Sequence, residues 1–292
     1  MKLTAAYILR LLKSPALYIG ISGCALIALW GIISAGNFTS AETFVQYIRF
    51  TGTAQLFSDM MDFGTYRKLI LIAACMPFTA AFCTEFKSGL SKQIILRSSQ
   101  KNYILTHAVL NFLCTFFVSF LGIVLCVLAL SLFFPLIGSL HNEYSDTFGR
   151  LLNNENTAWL FILLKSLFFS ASLGAWSVSG AAISALFPDP FIAVCTPLIM
   201  SYIIELVTIE ADFLPDLWNL SRGYVSTAYG ILFSSLEILL VFLVLAFLFG
   251  TAFYYIAKRR LDESEAPAAF LTSACRISAN GARITEYGRS PY

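Results

Sequence analysis

The sequence predicts an all-α, polytopic membrane protein: six transmembrane helices, an N-terminal interfacial elbow helix, and both termini in the cytoplasm. Three observations predict it. Of the 292 residues, 12% are charged and 58% hydrophobic, with a mean hydropathy of +0.76, whereas soluble domains carry about 25% charged residues. Apolar runs long enough to cross a hydrocarbon core of about 30 Å recur along the chain. Cations gather in alternate connecting segments, the pattern that sets orientation.

Residues 1–14 form the elbow. Leu3, Tyr7, Ile8, Leu11 and Leu12 give an apolar face, while Lys2, Arg10 and Lys13 supply cations for anionic headgroups. Ser14-Pro15 then breaks the helix direction, because a residue before proline disfavours the α region. The first span, residues 16–35, follows. Its apolar run of about 19 residues exceeds the ~7–15 of a signal-peptide core, so it is a retained span. In the loop over 37–66, Phe44, Tyr47, Ile48, Leu56, Phe57, Met60 and Met61 read as short helices resting on the outer interface. Arg67 and Lys68 snorkel at the outer mouth of the second span, residues 69–84, which holds Pro77 at its centre.

Residues 85–103 are the polar interruption around which the chain is organised. Glu85 stands against Lys87, Lys92, Arg97 and Lys101. Leu90, Ile94 and Leu96 or Arg97 recur at helical spacing, so one greasy and one charged face should lie flat on the membrane. The third span, residues 104–134, is about 46 Å long as a helix and must tilt or project. The loop over 139–156 carries His141, Glu143, Asp146 and Glu155 against Arg150. Stripes of small residues run through the fourth span, residues 157–187: Ala171, Ala175 and Ser179, then Ser177, Ala181 and Ala185, spacings that let helices approach closely in lipid. Phe187-Pro188-Asp189-Pro190 makes a tight turn into the fifth span, residues 191–209. An acidic loop from Glu210 to Trp218 precedes the sixth, residues 228–257, which ends in Lys258-Arg259-Arg260. The tail over 261–292 lacks apolar periodicity and reads as disordered.

Orientation follows from the cations. With the N-terminus inside, the inner segments 1–14, 85–103 and 258–260 hold ten lysines and arginines, and the outer loops 36–68, 135–156 and 210–227 hold five. That excess places both ends in the cytoplasm.

The chemistry the sequence lacks is equally informative. There is no GxxxxGKS/T and no Gly-Lys dipeptide, hence no P-loop; HExxH and GxSxG are missing, and the histidines are His107 and His141. The chain is therefore no enzyme by any recognised hydrolase constellation. The seven cysteines form no CxxC or Cys/His metal spacing and read as small packing residues. Neither a metal nor a nucleic-acid partner is expected; the bilayer is.

Lys165, Glu205 and Glu237 lie inside the predicted spans, all in the outer half of the bilayer. An unpaired charge there costs at least about 2.5–3.5 kcal/mol, which favours a Lys165–Glu237 pair between the fourth and sixth spans. Such a pair could line a transport path or gate, or could be a buried tether that sets helix register. Glu205 is shallow enough to reach outer headgroups. His107 reads as an interfacial residue rather than a ligand.

Several pieces together resemble the membrane (permease) subunit of an ABC transporter of the type-2 permease family. Leu9-Arg10-Leu11-Leu12-Lys13-Ser14-Pro15 resembles that family's elbow helix. Glu85-Phe86-Lys87-Ser88-Gly89 resembles its "E…G" element after the second span, and Ile94 through Leu105, with Arg97, Lys101 and Tyr103, resembles the stretch leading into the third. Asp212 to Tyr229 is similar to its outer re-entrant or interfacial helices. His107 stands where the family often has lysine.

The resemblance implies that residues 85–103 form a coupling segment for a separate cytoplasmic ABC ATPase subunit. Glu85 and Gly89 would shape the start of that segment, and Lys92, Arg97 and Lys101 would meet the ATPase or headgroups. No cofactor belongs to this chain; ATP and Mg belong to the partner. The resemblance further implies a second permease subunit, as homodimer or heterodimer, a multi-pass place in a bacterial plasma membrane, and export of the cargo. A load of 27 Phe and 13 Tyr suits a hydrophobic or amphipathic cargo such as a peptide, drug or lipid, and bilayer-facing aromatics explain it equally well. The alternative is a self-sufficient secondary transporter or channel that uses Lys165, Glu205 and Glu237 as an ion relay. A membrane enzyme acting on lipid would need an Asp-rich or His-rich cytosolic cluster, which the sequence lacks.

Overall fold

The computed structural model describes residues 2–35, 41–62, 65–138, 149–210, 236 and 239–263. Among these the regular structure is all helix, with no strand. The helices are α1 (Lys2–Leu12), α2 (Pro15–Ala35), α3 (Ala41–Thr51), α4 (Thr53–Asp62), α5 (Thr65–Cys75), α6 (Ala81–Lys87), α7 (Leu90–Arg97), α8 (Gln100–Ser131), α9 (Glu155–Leu186), α10 (Pro190–Glu210) and α11 (Leu239–Glu263), with a 3₁₀ turn at Gly149–Asn153. Helices α2, α8, α9, α10 and α11 are each long and apolar enough to cross a membrane. This is the architecture of a multi-pass membrane protein. The expected loop residues His141, Glu143 and Asp146, the acidic loop, Glu237, the first part of the sixth span and the tail beyond Glu263 lie outside the described residues.

The bundle is built around α9, which packs against α8 on one side and α10 on another. Its small-residue stripes make this possible. At Gly180 an added Cβ would sit 2.5 Å from the Ala193 carbonyl of α10, so only glycine permits that approach. Trp176 is buried on α9 and meets Phe242 of α11, ring centroids 6.1 Å apart. The turn after α9 forms as its sequence dictates. Asp189 Oδ1 accepts from the Phe191 amide at 2.8 Å, while Pro190, which lacks an N–H that would go unsatisfied there, begins α10.

The second predicted span is not one helix. It divides into α5 and α6, with a turn over residues 76–80. Pro77 causes the break: it has no N–H to donate, and its ring clashes with the carbonyl four residues back. Irregular backbone at membrane depth is tolerated where it is buried in protein, and Phe78 and Thr79 are buried. The Thr79 hydroxyl donates to Asn111 Oδ1 at 3.0 Å, and Asn111 Nδ2 donates to the Ser177 carbonyl at 2.7 Å, tying the break to α8 and α9.

Two further expectations are corrected. The apolar face of helix α4 is not laid on lipid: it buries Leu56, Phe57, Met60 and Met61 in the main core. Its first amides are satisfied by the chain after α8, Thr53 N to Pro135 O and Ala54 N to Leu136 O, both 3.1 Å. The predicted tail does not start at 261, because α11 continues to Glu263 and buries Leu261 beside Phe82, Tyr103 and Phe253. Arg260 accounts for this docking. It donates to the Ala185 carbonyl at 2.7 Å and to the Leu186 carbonyl, capping the C-terminus of α9.

Candidate functional site

The site begins with chain geometry between α6 and α8. Gly89 has φ +72°, the left-handed region that ends helices and that glycine enters without penalty. Its amide bonds the Phe86 carbonyl at 3.2 Å, closing α6 and turning the chain into α7. At the other end Ser98 is extended, and the Ser99 hydroxyl caps α8 by accepting from the Asn102 amide at 3.3 Å. Helix α7 is thus an eight-residue rod with a sharp joint at each end. Ser91 is buried, and Ile94 and Ile95 pack inward. Leu96, one of the two positions expected to complete the greasy face, is 87% exposed, and Ile95 takes the inner position. Lys92 and Arg97 are exposed with it, as is Lys101 on the first turn of α8.

What holds this rod in place is Glu85. It is 2% exposed, on α6 about one turn before Gly89 in the packed corner where α1 and α8 meet. Its Oε2 accepts from Tyr7 Oη at 2.6 Å and Tyr103 Oη at 3.1 Å, and lies 3.0 Å from His107 Nε2; its Oε1 accepts from Arg10 at 3.0 Å. A carboxylate only accepts, so His107 Nε2 carries the proton toward it. Helical spacing sets the arrangement: Tyr7 and Arg10 are three apart on α1, Tyr103 and His107 four apart on α8. Aromatic rings enclose the imidazole, with Tyr103 at 4.7 Å, Tyr7 at 5.1 Å, Phe78 at 5.5 Å and Phe82 at 5.9 Å between centroids. Burial pushes the Glu85 carboxyl up, but the hydrogen bond and charge of His107, with the Tyr7 and Tyr103 hydroxyls, outweigh it and hold the carboxyl below its ordinary value. Burial and the bond to Glu85 drive the Tyr7 phenol upward, so it stays a donor. Beside the cluster a cleft of about 250 Å³ opens between α1 and the helix break, lined by Arg10, Pro77, Ala80, Thr84 and Glu85.

No known protein family, curated protein or solved structure matches the chain.

The intramembrane charges sort differently from expectation. Glu205 does not reach for headgroups. It is 7% exposed and accepts from Lys68 at 2.7 Å and Arg67 at 3.2 Å, with the Lys68 ammonium 3.5 Å from the Tyr202 ring centre. Arg67 and Lys68 accordingly do not snorkel outward; they turn in to α10. Lys165 is buried in α9, 5.8 Å from the Phe161 ring centre, and its expected partner Glu237 lies outside the described residues. The structure brings Glu85 together with Tyr7, Arg10, Tyr103 and His107, of which only Glu85 was expected at a site. His107 is 2% exposed, enclosed by the bundle rather than facing headgroups. One sequence signal could have found the cluster: Glu85 is the sole acid between Asp62 and Glu143.

Proposed function

We propose that the chain is the permease subunit of an ABC-type transporter of the type-2 class, driven by a separate cytoplasmic ATPase and working with a second permease subunit. The broken α5–α6 pair counts as the second of six crossings, α1 lies on the inner membrane surface as the elbow, and both termini are cytoplasmic. The observation that carries the reading is the mounting of α7. Four hydrogen-bonding partners on Glu85 tie α1, α6 and α8 together, and Gly89 projects α7 from that joint. A force on the exposed face of Lys92, Leu96 and Arg97 is then passed through Glu85 into the start of α8 and the elbow. A rod so held moves with its neighbours; a loose loop would absorb the push.

In this mechanism the ATPase closes on ATP, α7 shifts as a lever, and α8 and α1 follow, opening the path outward for a hydrophobic or amphipathic cargo. Tagged chain purified from its native membrane should co-elute with ATP-hydrolysing activity in stoichiometric amount. Elution with no nucleotide-hydrolysing subunit under mild detergent would count against the reading.

The break at Pro77 favours one second reading, a secondary transporter. Discontinuous helices host ion and substrate sites near the midplane in such proteins, and the Ser166 and Ser170 hydroxyls are buried without partners among the described residues. Ion-coupled flux by the chain alone in vesicles would select that reading.

A further inference from the structure

The wall of the bundle is open between α8 and α11. Leu105, Val109 and Leu113 of α8 face Leu243, Phe247 and Gly250 of α11 across an apolar groove of about 450 Å³. Among the described residues, a Cβ placed on Gly250 would meet nothing within 4 Å, so the groove there is open and not a packed seam. From Leu105 to Leu113 it runs about 12 Å along α8, and from Leu243 to Tyr255 about 18 Å along α11. Those lengths bracket one leaflet, about half of a ~30 Å hydrocarbon core.

The groove has a charged mouth. Lys101 lies four residues before Leu105, on the same face of α8, and Lys258 four residues after Tyr254, on the same face of α11. The Gln100 side chain joins the two helix ends, donating to the Lys258 carbonyl at 3.3 Å and to Asp262 Oδ1 at 3.0 Å. Lys101 and Lys258 thus sit at one corner, both exposed, and neither is in an ion pair among the described residues. The neighbouring Asp262 carboxylate is occupied by Gln100. Tyr254 and Tyr255 line the same end, the level at which amphipathic rings meet headgroups.

We propose that this groove binds an anionic phospholipid, with one acyl chain lying between α8 and α11 and the phosphate held by Lys101 and Lys258. The two exposed cations at the mouth match an anionic headgroup, and that charge selects the lipid. The site depends on neither the ATPase nor the orientation of the chain.

The test uses the isolated chain in detergent, so any motor contact of Lys101 is absent. Phosphatidylglycerol and phosphatidylcholine with identical acyl chains are offered together, and retained lipid is read by native mass spectrometry. Two lysines near a phosphate should give roughly thirtyfold preference for phosphatidylglycerol. Lys101→Glu with Lys258→Glu should erase the preference while phosphatidylcholine is held as before, and the paired glutamine variants should reduce it. Gly250→Phe, which fills the groove, should lower retention of both lipids. Equal retention by the unaltered chain, or a preference that survives removal of both lysines, overturns the proposal. So does a Gly250→Phe chain that keeps its lipid but loses an oligomer, which assigns the groove to a second copy.

Discussion

Tyr7 Oη lies 2.6 Å from Glu85 Oε2, a bond between residues 78 positions apart that clamps the first helix onto the sixth. Around it three other groups share the same carboxylate, and their exposures differ enough to rank them. Glu85→Ala removes the buried centre and leaves His107, Tyr7 and Tyr103 without their acceptor. It should destabilise by about 3–5 kcal/mol. Tyr7→Phe removes one bond, about 1 kcal/mol. Arg10→Ala should cost less than about 1 kcal/mol, because its side chain is 65% exposed and screened. Melting of the purified variants in detergent checks the order; an Arg10 effect as large as that of Glu85 contradicts the hub.

The same carboxylate sets a pH dependence. Its folded value lies below the ordinary 4.5, so its contribution to stability is complete above that pH and is lost as pH falls through the lower folded value. The difference in melting temperature between the unaltered chain and Glu85→Gln should therefore be constant from neutral pH down to about 4.5 and shrink below it. A difference that grows on acidification reverses the sign and refutes the assignment.

Gly89 offers a purely conformational test. A Cβ there would meet nothing within 4 Å, yet φ is +72°. Gly89→Ala should cost about 1–2 kcal/mol from backbone strain alone, and Gly89→Asn less, since asparagine tolerates this region. Equal melting for all three chains would show that the joint is not left-handed.

At the other charge cluster, Glu205 serves two cations. Glu205→Gln removes the anion that both Arg67 and Lys68 face, whereas Lys68→Met leaves Glu205 its arginine. The first should lower the melting temperature more than the second, the asymmetry of breaking against replacing a buried ion pair.

These tests bear on what the residues alone could tell. Spans α2, α8, α9 and α10 were legible because long apolar runs ended by Gly36, Pro135 and the Pro188–Pro190 turn leave little freedom in placing a helix. Pro77 was visible, but whether it kinks a helix or divides it depends on Asn111 and Ser177, which arrive from 34 and more residues away. Helix α4 was misplaced because Leu56, Phe57, Met60 and Met61 have the same spacing whether an amphipathic helix lies on lipid or in a core. The polar cluster was half legible. Glu85 stood out by charge, but its partners are set by how α1 folds back, and local spacing carries no record of that. Glu205 was misread for the same reason, since Arg67 and Lys68 approach it through tertiary packing.

If α7 faces the cytoplasm, its exposed knob is reachable from that side alone. A Leu96→Cys chain with Cys275 replaced by serine should react with a membrane-impermeant maleimide in inverted vesicles and not in intact cells. Six other cysteines are at least partly buried and serve as silent background. Labelling in intact cells would place α7 outside and end the lever reading.

The most direct measurement of the central claim is the ATP-hydrolysing activity that co-purifies with the chain before and after charge reversal at the end of α7 and the first turn of α8. Arg97→Glu with Lys101→Glu, both exposed and outside the Glu85 cluster, should abolish that activity in the eluate while the chain inserts and melts as before. Unchanged co-purification after the reversal would contradict the account.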